Sequence, residues 1–291
     1  MNLLKISSIS KKIVLALLGA FLVVFLLVHM GINLCLLRND GGAWYLAASH
    51  FMGSNYIVKV FEVVLILAIA GHICLGILLQ IQNWMSRPVR YKKAQKSKTT
   101  FMSKNMIWTG GLVLCFLAIH FVNFYFVKHD FVEGKYLVEM EEIQKHVDQD
   151  KYMAYVQGAL GQEEMMEFHE QMQKLQMLIE SGEQSKDGKY ILNLEKEPIL
   201  TVFGEDAHVE PDFYTMCKEL FQQKGYSILY LILFVVLGFH LFHAFQSLFQ
   251  TLGLNHNKYN TIIKYASLIY TTVVIAGFAV IPVFFMFFFK G

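Results

Sequence analysis

Long apolar runs, separated by short polar breaks, dominate both ends of the chain. The first covers residues 13–36 and is ended by Asn39, Asp40, Gly41 and Gly42. At 1.5 Å per residue, a helix of this length crosses a hydrocarbon core of roughly 30 Å. A second run covers 56–81; Trp84 closes it and Pro88 prevents its continuation. Further runs cover 106–127, 226–249 and 262–288, the fourth closed by Gly253 and the polar stretch 255–260. Between the first two, residues 43–56 carry Trp44, Tyr45 and Tyr56, aromatics suited to a membrane interface, and also His50.

Residues 128–225 break the pattern. Stretches 137–156 and 163–181 repeat apolar positions at helical spacing, with GALGQ between them, so both read as amphipathic helices. Residues 189–203 (KYILNLEKEPILTVF) read as a short hairpin. The expected fold is all-α: a polytopic bundle of five transmembrane helices with an inserted extracytoplasmic cap. Helices one to three occupy 1–127, the insert 128–225, and helices four and five 226–291. Composition agrees: 55% of the 291 residues are hydrophobic, 25 are Phe, and mean hydropathy is +0.42. These values exclude an ordinary globular enzyme, and no nucleic-acid partner is expected.

Charge supplies the orientation. Of the 23 acidic residues, 21 lie between Lys128 and Lys224, a segment with a net charge of about −11. The loop 82–105 holds Arg87, Arg90, Lys92, Lys93, Lys96, Lys98 and Lys104 and no acid, which places it in the cytoplasm. Lys5, Lys11, Lys12, Lys258 and Lys264 fall on the same side, and Arg38, Lys59 and Lys290 are the exceptions. The N-terminus is therefore expected in the cytoplasm, and the C-terminus and insert outside. Lysines before an apolar run resemble a signal peptide. This run continues too far and no small-residue cleavage site follows it, so a retained helix is expected. Cys35, Cys74, Cys115 and Cys217 form no CxxC pair, and CxxCH is absent.

Against this background stand four histidines in apolar runs: His29, His72, His120 and His240. An ionisable group at membrane depth is costly and marks a functional site by default. The plainer role is a polar contact between helices. Depth separates the two. His29 and His120 lie about seven residues before the outer ends of spans one and three, roughly 10 Å deep. His72 and His240 lie about 16 and 14 residues into spans two and four, roughly 21–24 Å deep. Two levels, each with two imidazoles from different helices, suit two stacked bis-imidazole b-type haems. Gly31, Gly71, Gly76, Gly110, Gly111, Gly238 and Ala244 flank these levels. They suit either a flat macrocycle near a backbone or ordinary helix packing. His243, one turn beyond His240 on a similar face, remains a competing ligand.

With these stretches in place, the chain resembles the cytochrome b membrane anchor of succinate:quinone and quinol:fumarate oxidoreductases. It looks like the single-subunit, five-helix, two-haem form, most like those of Bacteroidetes-type bacteria. The stretches are FLLVHMGIN at His29, AASHFMGSNYIVKVFE around His50 and Glu62, AGHICLG at His72, FLAIHFVNF at His120, and HLFHAFQSLFQTLG from His240 to Gly253. The resemblance covers 1–130 and 212–291; the stretch 131–211 exceeds the usual third connection. It implies that His29 with His120 and His72 with His240 ligate the irons of two haems b. It places a small residue four positions and a Gly thirteen positions after the fourth ligand; Ala244 and Gly253 fit His240. It also implies a flavoprotein (FAD) subunit and an iron–sulfur subunit on the cytoplasmic face, with loop 82–105 and the N-terminal lysines as docking surface. A dimer of such heterotrimers and menaquinone as substrate follow from the same resemblance.

Quinone chemistry moves protons. Glu62, the only acidic residue within a span, is the candidate proton acceptor, with His50 or Asn33 as hydrogen-bond partner. Pairing with Lys59, one turn back, is the plainer role for Glu62. Two alternative functions share the intramembrane histidines: a hydrogenase or formate dehydrogenase cytochrome b, and a proton-coupled transporter. His129, His146, His169 and His208 of the insert lack metal-ligand spacing, and nothing in 131–211 points to a function.

Overall fold

A computed structural model describes residues 7–86 and 105–289. The basic stretch 87–104, Lys5 and Lys290 therefore lie outside the described residues, and so does any docking role for them. Five helices among the described residues are long and apolar enough to cross a membrane. Their outward side chains include Val24, Val28, Phe61, Leu67, Ile232 and Ile269, all exposed. In lipid this costs nothing, because the surroundings are as apolar as the side chains.

Helix α1 (Ser8–Asn33) starts where the Ser7 hydroxyl accepts from the Ser10 N–H at 3.1 Å. This is five residues before the apolar run begins. It tightens into a 3-10 turn, Leu34–Leu37, before the glycines. The stretch read as a connection is itself a helix, α2 (Ala43–Ser54). Asn55 then caps α3 (Tyr56–Met85), its Oδ1 accepting from the N–H groups of Ile57 and Val58. Helix α4 (Met106–Lys128) passes through a π-helical turn, Phe121–Tyr125, directly after His120.

The chain divides into two compact units. The first comprises 1–34, 50–118 and 224–291. It includes α10 (Lys224–Thr251) and α11 (Asn257–Phe287), which follow the insert. These two pack against each other along their length, and α1 lies against both and against α3. Polar links sit inside this frame. Tyr270 Oη donates to the Val23 carbonyl at 2.7 Å, and Ser267 Oγ to the Phe242 carbonyl at 2.9 Å. Gly238 faces Ile275 and Thr271, and Gly277 faces Met30, so small residues set these approaches.

The second unit comprises 35–49 and 119–223, and here the structure departs from the all-α fold class and from the two helices and short hairpin expected of the insert. It contains a four-stranded antiparallel sheet in the order β2-β3-β1-β4. The strands are β1 (Tyr136–Glu139), β2 (Glu183–Gln184), β3 (Tyr190–Leu194) and β4 (Glu210–Pro211). The stretch 137–156 is not one helix. Its start pairs as β1 with β3 and β4, and two short helices follow, α5 (Met140–His146) and α6 (Gln149–Val156). Helix α7 (Gln162–Ser181) matches the second amphipathic stretch. The hairpin expected over 189–203 does not form. Asn193 adopts φ 61°, and after Leu194 the chain turns into α8 (Lys196–Phe203). Pro198 sits in the first turn of α8, where a missing N–H costs no helical bond.

Val127, Tyr136, Val138, Ile143, Leu175, Leu178, Ile191, Leu194 and Ile199 form this unit's apolar core. Helix α9 (Phe213–Gln222) closes it. Asp212, fully buried, caps α9 and accepts N–H bonds from Thr215 at 3.0 Å and Asn193 at 2.9 Å. Burial holds its carboxyl above the usual range despite these bonds. Tyr45 and Cys217 are in hydrogen-bond contact, and burial pushes the Cys217 thiol to about 12.

Candidate functional site

The first unit brings two of the four sequence-selected histidines together. His72 on α3 and His240 on α10 stand with ring centroids 6.4 Å apart and planes at 74°. The backbones of α3 and α10 are not among the closely packed helix pairs, so the two helices meet here through these side chains. His240 Nδ1 is buried without a hydrogen-bond partner, and the Leu15 backbone is the polar group against the His72 ring. A buried polar nitrogen with no partner is costly and calls for an explanation.

Two glycines make room for the rings. A Cβ placed on Gly19 of α1 would lie 3.4 Å from His72 Cε1, and one on Gly110 of α4 would lie 3.6 Å from His240 Cε1. The backbone of Leu15, one turn before Gly19, meets the same His72 ring. Each imidazole is therefore backed by a side-chain-free stretch of a neighbouring helix. Of the glycines picked out in the sequence, Gly31, Gly76 and Gly111 have open space at that position. Gly71 faces Leu18, and Gly238 faces Ile275. Gly110 alone of that group touches a candidate ligand, while Gly19 lies on a long apolar run and was not singled out.

His243 stands one turn beyond His240, half-buried, and the aromatic contact of His72 is with His240. His29 on α1 stacks on Phe25 at 5.3 Å and meets Phe278 at 5.7 Å, and Asn33 Nδ2 lies 3.4 Å from its Nδ1. His120 belongs to the second unit. It contacts Phe124, and the π-helical turn begins at the next residue. Such turns are rare and frequently occur at functional sites, and no sequence signal announced this one.

Glu62 is half-buried on α3, its Oε1 shielded from solvent. His50 is near the end of α2, its carbonyl accepting from Ser54 Oγ at 2.8 Å. The Asn55 cap joins their two helices, so both stand near the same end of α3.

Among the described residues no three His, Cys, Asp or Glu side chains converge as a metal cage. The site is thus a pair of neighbouring imidazoles in an apolar setting. Comparison with known protein families, with characterised proteins and with solved structures found no match.

Proposed function

We propose that the chain is the membrane anchor and electron-transfer subunit of a succinate dehydrogenase or fumarate reductase complex, holding two bis-histidine b-type haems. The observation that carries this is the His72–His240 pair. If His72 and His240 each gave one ring nitrogen to a shared iron, with metal–nitrogen bonds of roughly 2 Å, their ring centres would stand about 6.4 Å apart. The observed separation is 6.4 Å. Two imidazoles, with no third His, Cys, Asp or Glu converging among the described residues, would suit the iron of a haem.

Bound there, haem iron would supply one-electron redox chemistry. The chain's own residues do the rest. His72 and His240 each offer a neutral ring nitrogen. Gly19 and Gly110 leave the rings room, the Leu15 backbone limits rotation of His72, and the α10–α11 frame fixes the height of His240. His29, with Asn33 against its Nδ1, and His120, at the π turn, are the proposed ligands of the outer haem. Glu62 would accept the proton from a quinol near that level, with His50 close by.

In this reading the N-terminus faces the cytoplasm of a bacterial inner membrane and the insert caps the outer side. A flavoprotein and an iron–sulfur subunit dock on the inner face, and a membrane quinone exchanges electrons with the chain.

Dithionite-reduced spectra of the purified protein test the reading. Two b-type haems are expected per chain, with His72→Ala and His240→Ala each losing one and His243→Ala losing neither. Absence of b-type bands in the wild type would refute it. A copurifying subunit with covalent flavin separates this assignment from a hydrogenase-type cytochrome.

A further inference from the structure

Lys11, in the first turns of α1, is only 4% exposed. Its Nζ donates to Gln82 Oε1 on α3 at 3.4 Å and forms no ion pair among the described residues. A buried ammonium needs a counter-charge. The first unit cannot provide one: its only acidic side chain is Glu62. Glu62 is 20 residues before Gln82 on the same helix, roughly 30 Å away along the axis. The charged residues nearest Lys11 and Gln82 along the sequence, Lys12 and those of 87–104, are all cationic. Within the first unit, then, no acidic side chain stands ready to pair with Lys11.

The face of α1 that carries Lys11 leads to His72. Lys11, Leu15 and Gly19 are spaced four apart and so share one face. Leu15 and Gly19 both meet the His72 ring. Lys11 lies roughly 12 Å beyond Gly19 on α1, and Gln82 roughly 15 Å beyond His72 on α3, in the same direction along both helices. A carboxylate arm of a group seated between His72 and His240, directed along this face, would end at Lys11 and Gln82.

We infer that Lys11, positioned by Gln82, is the counter-charge for a carboxylate arm of the haem held by His72 and His240. This rests on the haem reading above. Lys11 is a positioning and charge-compensating residue here, with no part in quinone or dicarboxylate chemistry.

The test is a redox titration of the purified complex, wild type against Lys11→Met and Lys11→Arg. The affected haem is identified as the one lost in His72→Ala. Removing the cation leaves the carboxylate uncompensated and favours the oxidised, more positive haem. In Lys11→Met that haem's reduced-to-oxidised ratio at fixed potential should fall about tenfold, a lowering of about 59 mV for one electron. The other haem should not move, and Lys11→Arg should stay near wild type. Unchanged potentials in Lys11→Met with both haems present overturn the inference and leave the haem reading standing. Equal shifts of both haems, or the same shift in Lys11→Arg, overturn it too. A wild type without haem overturns both.

Discussion

Gly110 allows the inner site to be tested in graded steps. Its missing side chain leaves 3.6 Å between an ideal Cβ and His240 Cε1. Alanine there makes an ordinary van der Waals contact and removes a helix-interior glycine, a gain of roughly 0.5–1 kcal/mol. If the chain holds the two proposed haems, Gly110→Ala should keep both and unfold no earlier than wild type. Leucine is different. Its three further carbons extend beyond Cβ into a space already closed by the imidazole, so the ring must swing or α4 must move away. Overpacking of this kind costs roughly 1–3 kcal/mol. If displacement of the ring absorbs that cost, retention of the inner haem falls roughly five- to 150-fold. The assay is haem stoichiometry from pyridine haemochrome spectra after extended washing in detergent. Gly110→Leu should drop toward one haem per chain, and the same change at Gly111, where nothing lies within 4 Å, should not. A Gly110→Leu protein with two haems and unaltered spectra would refute the argument that this glycine backs an iron ligand.

Other expectations concern the second unit. Between pH 9 and 12 an unfolded thiol ionises while Cys217, held to about 12, stays protonated. Stability contributed by Cys217 is thus present below pH 9 and lost through that window at about 1.4 kcal/mol per unit. Denaturant unfolding should show this slope in the wild type and a flatter one in Cys217→Ala. Asp212→Ala removes a helix cap and strands the Asn193 N–H, together about 2–4 kcal/mol. Hydrogen exchange should quicken in 190–194 and 213–222, and unchanged protection would contradict this. Gly42 has φ +87°, and a Cβ there would lie 2.5 Å from the Tyr214 ring. Gly42→Ala should destabilise this unit by more than 2 kcal/mol, read as earlier proteolysis of the full chain in detergent.

The spans were legible because lipid demands long, nearly uncharged helices, and a run of that length has no other use. Their ends were less so: α1 starts at its Ser7 cap rather than at the first apolar residue. The insert was misread where long-range pairing overrides local pattern. Leu137, Val138 and Glu139 fit a helical stripe, yet they pair with residues more than 50 positions later. In 189–203 the alternation of KYILNLEKEPILTVF suggested strands throughout, but only Tyr190–Leu194 finds a sheet partner. At the candidate site, His72 and His240 were legible as expensive groups in lipid. Gly19 and Lys11 were not. One hid among apolar neighbours, and the other was already accounted for by orientation. The face they share appears only once α1 and α3 are packed together.

The second unit draws on two stretches far apart in the chain. Residues 35–49 supply Asn39, Gly42 and Tyr45. Their partners are Lys186, whose Nζ donates to Asn39 Oδ1 at 2.9 Å, Tyr214 and Cys217. During synthesis the early stretch emerges well before those partners exist. It must wait, with Tyr45 and Leu46 uncovered, while α3 and α4 are made and inserted. The sheet, the Asp212 cap and the Tyr45–Cys217 contact can close only afterwards. Biogenesis of this chain is therefore ordered, with helix insertion first and completion of the second unit last. A fragment of residues 119–223 alone would leave Tyr214 and Cys217 without their cover, and secretion of that fragment should yield a protease-sensitive product.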